Sequence, residues 1–311
     1  MKLRILHIIF TLSLILVTAC EKDFDIDIKE SEKQMVINGL FNQSAPIQMS
    51  ITESFSPYVE TVNIRDLTRS EVALFENGFL IENLTYFKQP DEEYGKYYST
   101  SIPKQDNNYR IEITDPVYGR VTANSAVPSH VIISDSKCNW TSWGEDTLEV
   151  IRFNFEFVIE DLPEENFYYM SIGCPLLKPN EITGAYEVFG YQYAEIYTAD
   201  IARPLLYLKN GWLFDDNIFN GTDYTISGTA TMYTYPCCTY SDEVIVDKSE
   251  LFVFLENLST EAYEFHSSYA QRLKIQDDFY AEPGSVYSNI NNGIGIFGGV
   301  NLTETQIPIV Y

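Results

Sequence analysis

The sequence predicts a mainly β protein with one amphipathic helix near its C-terminus. Short β-branched runs split by turn residues, a strict apolar/polar alternation within 148–161, and a single stretch of helical spacing at 260–275 carry this reading. "MVINGLF" and "IQMSITESF" are strand candidates separated by the turn-rich "NQSAP". In "EVALFENGFLIENLTYF", segments 72–76 and 79–87 flank Asn77-Gly78, a pair favoured where both central residues of a hairpin turn take positive φ. "NYRIEITDPVYGRVTANSAVP" repeats the hairpin around "DPVYG". Six or seven such candidates between 35 and 128 predict an immunoglobulin-like β-sandwich, with Pro128 marking its boundary.

Residues 129–311 are expected to form a larger, β-sandwich-like domain. "VIISDSKCNW" opens it, and "LEVIRFNFEFVIED" places Ile151, Phe153, Phe155, Phe157 and Ile159 on one face. Arg152, Asn154 and Glu156 take the other. "ENFYYMSIGC" is expected to answer this strand across "DLPE". Further strands are "AYEVFGYQYAEIYT", "YTISGTATMYTY", "EVIVD" and "LFVFLEN", with Pro236 ending the second of these or setting it at a sheet edge. In helix 260–275, Ala262, Phe265, Tyr269 and Leu273 form the apolar stripe. Ser259 or Thr260 caps its start, Glu261 suits its first turn, and Arg272 and Lys274 suit its last.

Residues 1–19 read as an export signal: Lys2 and Arg4 precede an apolar stretch, 5–17, that is too short to span a bilayer. The ending "LVTAC" resembles the bacterial lipoprotein box. That resemblance implies that Cys20 becomes the acylated N-terminus, carrying palmitate-type chains. Each buried methylene holds the anchor by ~0.8 kcal/mol, and two or more chains attach stably. Residues 20–34 form an acidic tether with Glu21, Asp23, Asp25 and Asp27. An acidic run there resembles the surface-export signal of Bacteroidota lipoproteins, implying the extracellular face of the outer membrane. The alternative is a spacer without an address.

The chain carries 45 acidic against 20 basic residues, a formal charge of −25. Such a field repels phosphate backbones and disfavours nucleic acid as a partner. Cys138, Cys174, Cys237 and Cys238 allow three pairings. A Cys237–Cys238 bridge would be strained, which favours a link from one of them to Cys138 or Cys174; free thiols are the alternative. There is no C-x-x-C, and His130 and His266 are the only histidines after the signal, so no metal site is expected. "FDDNIFNGTD" clusters Asp215, Asp216, Asn217, Asn220 and Asp223 as hard oxygen ligands. Phe219 and Asn220 stand where an EF-hand needs a ligand and glycine, so a polar turn with Asx bonds is expected. No G-x-S-x-G elbow occurs, and a Ser/His/Asp site has no support. Paired carboxylates cannot be recognised from spacing alone. The expectation is a protein that is not an enzyme and needs no cofactor.

"GIGIFGG" matches G-x-G-x-x-G through Gly293, Gly295 and Gly298. A dinucleotide cradle needs a helix after the glycines, and only a strand-like "IPIVY" ending follows. The glycines are expected to mark a strand or bulge with close backbone approach.

The same stretch, "FYAEPGSVYSNINNGIGIFGG", follows the "STEAYEFHSSY" helix. It resembles the C-terminal signature of the DUF4249 family of Bacteroidota lipoproteins through Phe279, Pro283, Ser288, Asn289, Ile290, Asn292, Gly293, Gly295, Ile296, Phe297 and Gly298. "MVINGLF", "YRIEITD", "GRVTANSAVP" and "LFDDNIFNG" extend the resemblance over nearly the whole mature chain. It implies an outer-membrane lipoprotein often associated with TonB-dependent receptor systems, and it carries over no catalytic residues.

Tyr occurs 23 times, and "FGYQYAEIY" is expected to place Phe189, Tyr191, Tyr193 and Tyr197 on one strand face. Exposed rings of this kind stack on a glycan or pack against a peptide ligand; ordinary β-propensity and packing is the alternative. Trp140, Trp143 and Trp212 are further candidates, and Asp146-Thr147-Leu148 resembles a Bacteroidota O-glycosylation sequon. The expected function is a non-enzymatic accessory that captures substrate for, or docks onto, a TonB-dependent transporter. An independent glycan-binding module and a glycoside hydrolase or other hydrolase are the alternatives.

Overall fold

The computed structural model describes residues 32–56, 64–145, 148–198, 206–208, 211–234, 244–275 and 284–310. Cys20, Asp146, Thr147, Pro236, Cys237, Cys238, Phe279 and Pro283 lie outside the described residues, as do the export signal and the acidic run. The chain is mainly β, with one helix near its C-terminus among the described residues.

The first half carries β1 (Met35–Phe41), β2 (Gln48–Glu53), β3 (Glu71–Glu76), β4 (Phe79–Asn83), β5 (Thr85–Phe87), β6 (Lys96–Tyr98), β7 (Asn108–Asp115) and β8 (Gly119–Ala126). They form a two-sheet sandwich, with β1-β2-β6-β5 in one sheet and β4-β3-β7-β8 in the other. The Asn77-Gly78 turn takes φ of 50° and 86°, as its residues predict. In the β7–β8 turn, Asp115 Oδ1 accepts the N–H groups of Val117 and Tyr118 at 2.8 and 3.1 Å. Burial pushes the Asp115 carboxyl up, but these donors, with the Ser70 hydroxyl and the Arg65 charge, outweigh it and hold the group below its ordinary range. Met35, Ile37, Met49, Ile51, Leu74, Ile111 and Ile113 fill the space between the sheets.

The second half carries β9 (Ile132–Glu145), β10 (Leu148–Glu160), β11 (Phe167–Pro179), β12 (Tyr186–Tyr193), β13 (Glu195–Tyr197), β14 (Leu206–Leu208), β15 (Gly211–Asp215), β16 (Tyr224–Thr234), β17 (Ile245–Val246) and β18 (Leu251–Leu258). Helix α1 (Thr260–Ile275) and β19 (Ile294–Ile307) follow. One sheet runs β13-β16-β10-β9, and it packs Ile151, Phe153, Phe155, Phe157 and Ile159 into a core shared with Tyr168, Met170, Ile172, Val253 and Leu255. β11 does not answer β10 as expected. β9 and β16 occupy both edges of β10, and the 161–166 corner carries the chain to the facing sheet. There, Asn166 N–H donates to Asp216 Oδ2 at 2.8 Å and Gly221 N–H to Asp161 Oδ2 at 2.7 Å. In the facing sheet β11 is central, flanked by β15 and β12 on one edge and by β18 and β17 on the other. Its near-continuous apolar run suits that position.

β19 lies antiparallel to β18 and parallel to β1, so one sheet runs β14-β15-β11-β18-β19-β1-β2-β6-β5. The glycines of "GIGIFGG" make this possible. Gly295 sits at φ 116°, where a Cβ would overlap the Ile37 carbonyl, and a Cβ on Gly299 would overlap the Ala126 carbonyl. Apart from Glu32 and Ser56, the described residues fall in one compact unit.

Ser259 caps α1, its Oγ accepting the Ala262 N–H at 3.2 Å. The buried face is Ala262, Tyr263, Ser267 and Ala270, so of the expected stripe only Ala262 is buried. Tyr269 and Leu273 are exposed and Phe265 is half-buried. Small residues win this face because Ala262 lies against Gly298, where even a glycine Cβ would come within 3.0 Å. Phe265 and Tyr269 stack on each other at 6.4 Å instead.

Cys138 and Cys174 are buried free thiols, so neither makes the expected disulfide. Burial pushes them up to about 11 and about 12.

Candidate ligand cleft

Residues directly opposed across antiparallel strands share a face. The register of β11, β18 and β19 sets up three rows: Tyr169–Glu256–Leu302, Ser171–Phe254–Glu304 and Gly173–Phe252–Gln306. On β12, Tyr193 stands opposite Gly173 and Tyr191 opposite Pro175. The intervening residues Met170, Ile172, Val253 and Leu255 point into the core. Helix α1 covers the Phe167–Leu258–Val300 end of the same face. Beyond the helix the face opens as a cleft of about 380 Å³ lined by Tyr169, Ser171, Tyr191, Tyr193, Phe254, Glu256, Leu302 and Glu304.

Two glycines let the rings lie close to the sheet. A Cβ on Gly173 would come within 3.3 Å of Tyr193 Cδ1, and one on Gly211 within 2.6 Å of Tyr169 Cζ. Phe254 meets Tyr191 at 4.7 Å and Tyr193 at 5.8 Å, each at 70°. Phe252 meets Tyr191 at 5.5 Å and 63°. These edge-to-face pairs are a favoured aromatic geometry, so the walls support one another. Tyr191 O–H donates to Glu304 Oε1 at 2.7 Å. Burial, then this contact with Glu304, pushes Tyr191 up to about 12. Glu256 is half-buried. Burial alone pushes its carboxyl up to about 7, within reach of neutral pH. No Lys, Arg or His lines the cleft among the described residues.

The structure brings together two of the four aromatic residues singled out in the sequence, Tyr191 and Tyr193. Phe189 is the extra residue of a bulge opposite Leu176 and Leu177; it is exposed and outside the cleft. Tyr197 lies beyond Ala194 on β13, which pairs with β16 in the facing sheet, and its hydroxyl donates to Glu195. The bulge and the change of sheet break the single face expected for the four. Trp140 packs on the second core, Trp143 is exposed beneath Arg152, and Trp212 Nε1 donates to the Ile196 carbonyl. His130 Nδ1 sits 3.4 Å from Asn301 Oδ1, and the His266 ring lies beside Phe265. The 215–223 segment is the polar turn expected, with Asp215 Oδ1 accepting the Asn217 N–H at 3.2 Å.

A larger hollow, about 420 Å³, lies beside Pro128. Several of its polar groups bond to one another, while Asn257 Oδ1 is buried without a hydrogen-bond partner among the described residues. Asn257 Nδ2 donates to the Ser129 carbonyl and to Asn166 Oδ1, and nearby Asn301 Nδ2 donates to the Pro128 carbonyl. That network pins the segment between the two cores, which leaves the aromatic cleft as the candidate site.

The family described as "Domain of unknown function (DUF4249)" matches residues 21–306. The chain belongs to this family. No curated protein matches it. Among solved structures, it is similar to one described as a membrane anchored protein from Corynebacterium diphtheriae, at 10% identity and a TM-score of 0.20. That match covers 74% of this chain and 55% of the other, so the chain spans about half the length of that protein.

The described part of the DUF4249 signature serves the scaffold. Asn289 Nδ2 donates to the Asn124 and Phe297 carbonyls at 3.0 and 2.7 Å, while its Oδ1 accepts the Phe297 N–H at 3.0 Å. It thereby clamps β19 beside β8. Ile290 and Phe297 enter the first core. Sequence reading missed Tyr169, Phe254, Glu256 and Glu304 as cleft residues. One signal was available: Glu256 is the lone acid within the apolar run "LFVFLENL" of β18.

Proposed function

We propose that this DUF4249 chain is a lipid-anchored protein of the outer-membrane surface. It captures a ligand in the aromatic cleft without transforming it, as an accessory docked to a TonB-dependent transporter. The observation that carries the capture role is the open cleft itself, with rings held edge to face by their neighbours before any ligand arrives. Such preorganisation reduces the ordering cost of binding. The lipobox ending at Cys20 and the acidic tether support the anchor, and the family resemblance supports the transporter. No helix of the described residues is long and apolar enough to cross a membrane.

Crosslinking and purification from native outer membranes test the reading. A β-barrel receptor and a small-molecule cargo should come down with the wild-type protein, and Tyr191→Ala/Tyr193→Ala should lose the cargo while keeping the receptor. Recovery of the protein always alone and empty would overturn it. The exposed Tyr faces also favour independent glycan binding, in which case glycan capture would depend on those rings with no receptor recovered. Glu256 and Glu304 on one face favour a hydrolase, which release of reducing ends from a glycan would reveal.

A further inference from the structure

We propose that the cleft takes an organic ammonium ion, a ligand class that rests on the cleft being the capture site. Three features of the cleft and one of the whole chain point to it. The first is its hydrogen-bonding inventory: two carboxylates, which when ionised can only accept, together with hydroxyls, and among the described residues no amide, guanidinium or ammonium side chain. A neutral sugar presents hydroxyls that call for donors as well as acceptors. An alkylammonium only donates, and a quaternary ammonium offers charge alone.

The second is ring geometry. Tyr191 and Tyr193 each stand at 70° to Phe254, so the aromatic wall is angled rather than a flat platform. Ring faces set at steep angles around one volume suit a compact cation, attracted to each face by the ring quadrupole. The third is charge. The Glu256 carboxylate makes no hydrogen bond or ion pair with another described residue, and burial alone shifts it. The charged and titratable groups facing it are Glu304 on β19, Tyr169 on β11, and Tyr191 and Tyr193 on β12, with no cation among them. A bound ammonium supplies the missing counter-charge and favours the ionised carboxylate, so binding strengthens as pH rises through about 7. The fourth is the whole chain, whose formal charge of −25 draws cations toward it.

The test is calorimetric titration of the purified, detergent-solubilised lipoprotein at pH 8. The probes are choline, cadaverine, cellobiose and 3,3-dimethyl-1-butanol, the uncharged isostere of choline. Choline or cadaverine should bind at least tenfold more tightly than the isostere, and the comparison between them separates quaternary from primary ammonium. Glu256→Gln, a near-isosteric change, and Tyr193→Ala should each weaken binding at least tenfold, with thermal melts verifying that both variants fold. Neither choline nor cadaverine binding more tightly than the isostere, amine binding indifferent to Glu256→Gln, or no amine binding at 10 mM overturns the ammonium assignment. Cellobiose binding that Tyr191→Ala/Tyr193→Ala abolishes would overturn it too, yet leave the cleft as a capture site. Native cargo retained by that double variant would overturn both.

Discussion

Glu256 is held in the cleft without a hydrogen-bond or ion-pair partner among the described residues, and burial there disfavours its charged form. The folded-state pKa of about 7 lies above the ordinary glutamate value of 4.5, so the folded protein holds an extra proton between those two values. Stability is therefore full below about pH 4.5 and falls as pH rises through 7. At roughly 1.4 kcal/mol per pKa unit, Glu256→Gln should stabilise the protein at pH 8 by up to about 3 kcal/mol and change little at pH 4.5. Urea midpoints at the two pH values check this; an equal gain at both would mean that the side chain acts through packing. Glu53 has the opposite sign. Its hydrogen bonds from Lys33 and Tyr118 lower its pKa against burial, so its contribution is present above the ordinary carboxylate range and is lost as pH falls. Neither shift is visible in the sequence, because each depends on residues brought together by folding. Tyr191 and Tyr193 stood out in the sequence as aromatic residues two apart. Glu256 joins them only through the β11–β18 register.

At the scale of elements, local pattern was informative and pairing was not. The alternation over 151–159, the Asn77-Gly78 turn and helix 260–275 all act within a few residues, where side-chain periodicity and turn sterics decide the outcome. The partner of β11 and the buried face of α1 depend on distant neighbours, which no local pattern records. The helix cap is local and its worth is predictable. Ser259→Ala removes the acceptor for the Ala262 N–H and should cost about 1 kcal/mol, read as a lowered urea midpoint. Ser259→Asp should retain most of the stability, since Asp caps equally well. If alanine and aspartate lose the same amount, the Ser259 hydroxyl matters for its contact with Ser125 rather than as a cap.

At the scale of the molecule, β19 is the strand on which both cores depend. Phe297 enters the first core and Ile307 enters the second, while the strand pairs with β1 along one edge and β18 along the other. Its glycines set how closely it can approach. At Gly295, a side chain would strain the backbone at φ 116° and press on the Ile37 carbonyl, so Gly295→Ala should cost on the order of 3 kcal/mol. The three tryptophans, Trp140, Trp143 and Trp212, all lie after Pro128, so their fluorescence reports the second half alone. Ile37 belongs to the first core. If β19 couples the halves into one cooperative unit, Gly295→Ala should lower the tryptophan midpoint and the far-ultraviolet dichroism midpoint together. A tryptophan transition left in place while the dichroism curve divides in two would mean that the halves unfold separately and that β19 joins them without coupling them.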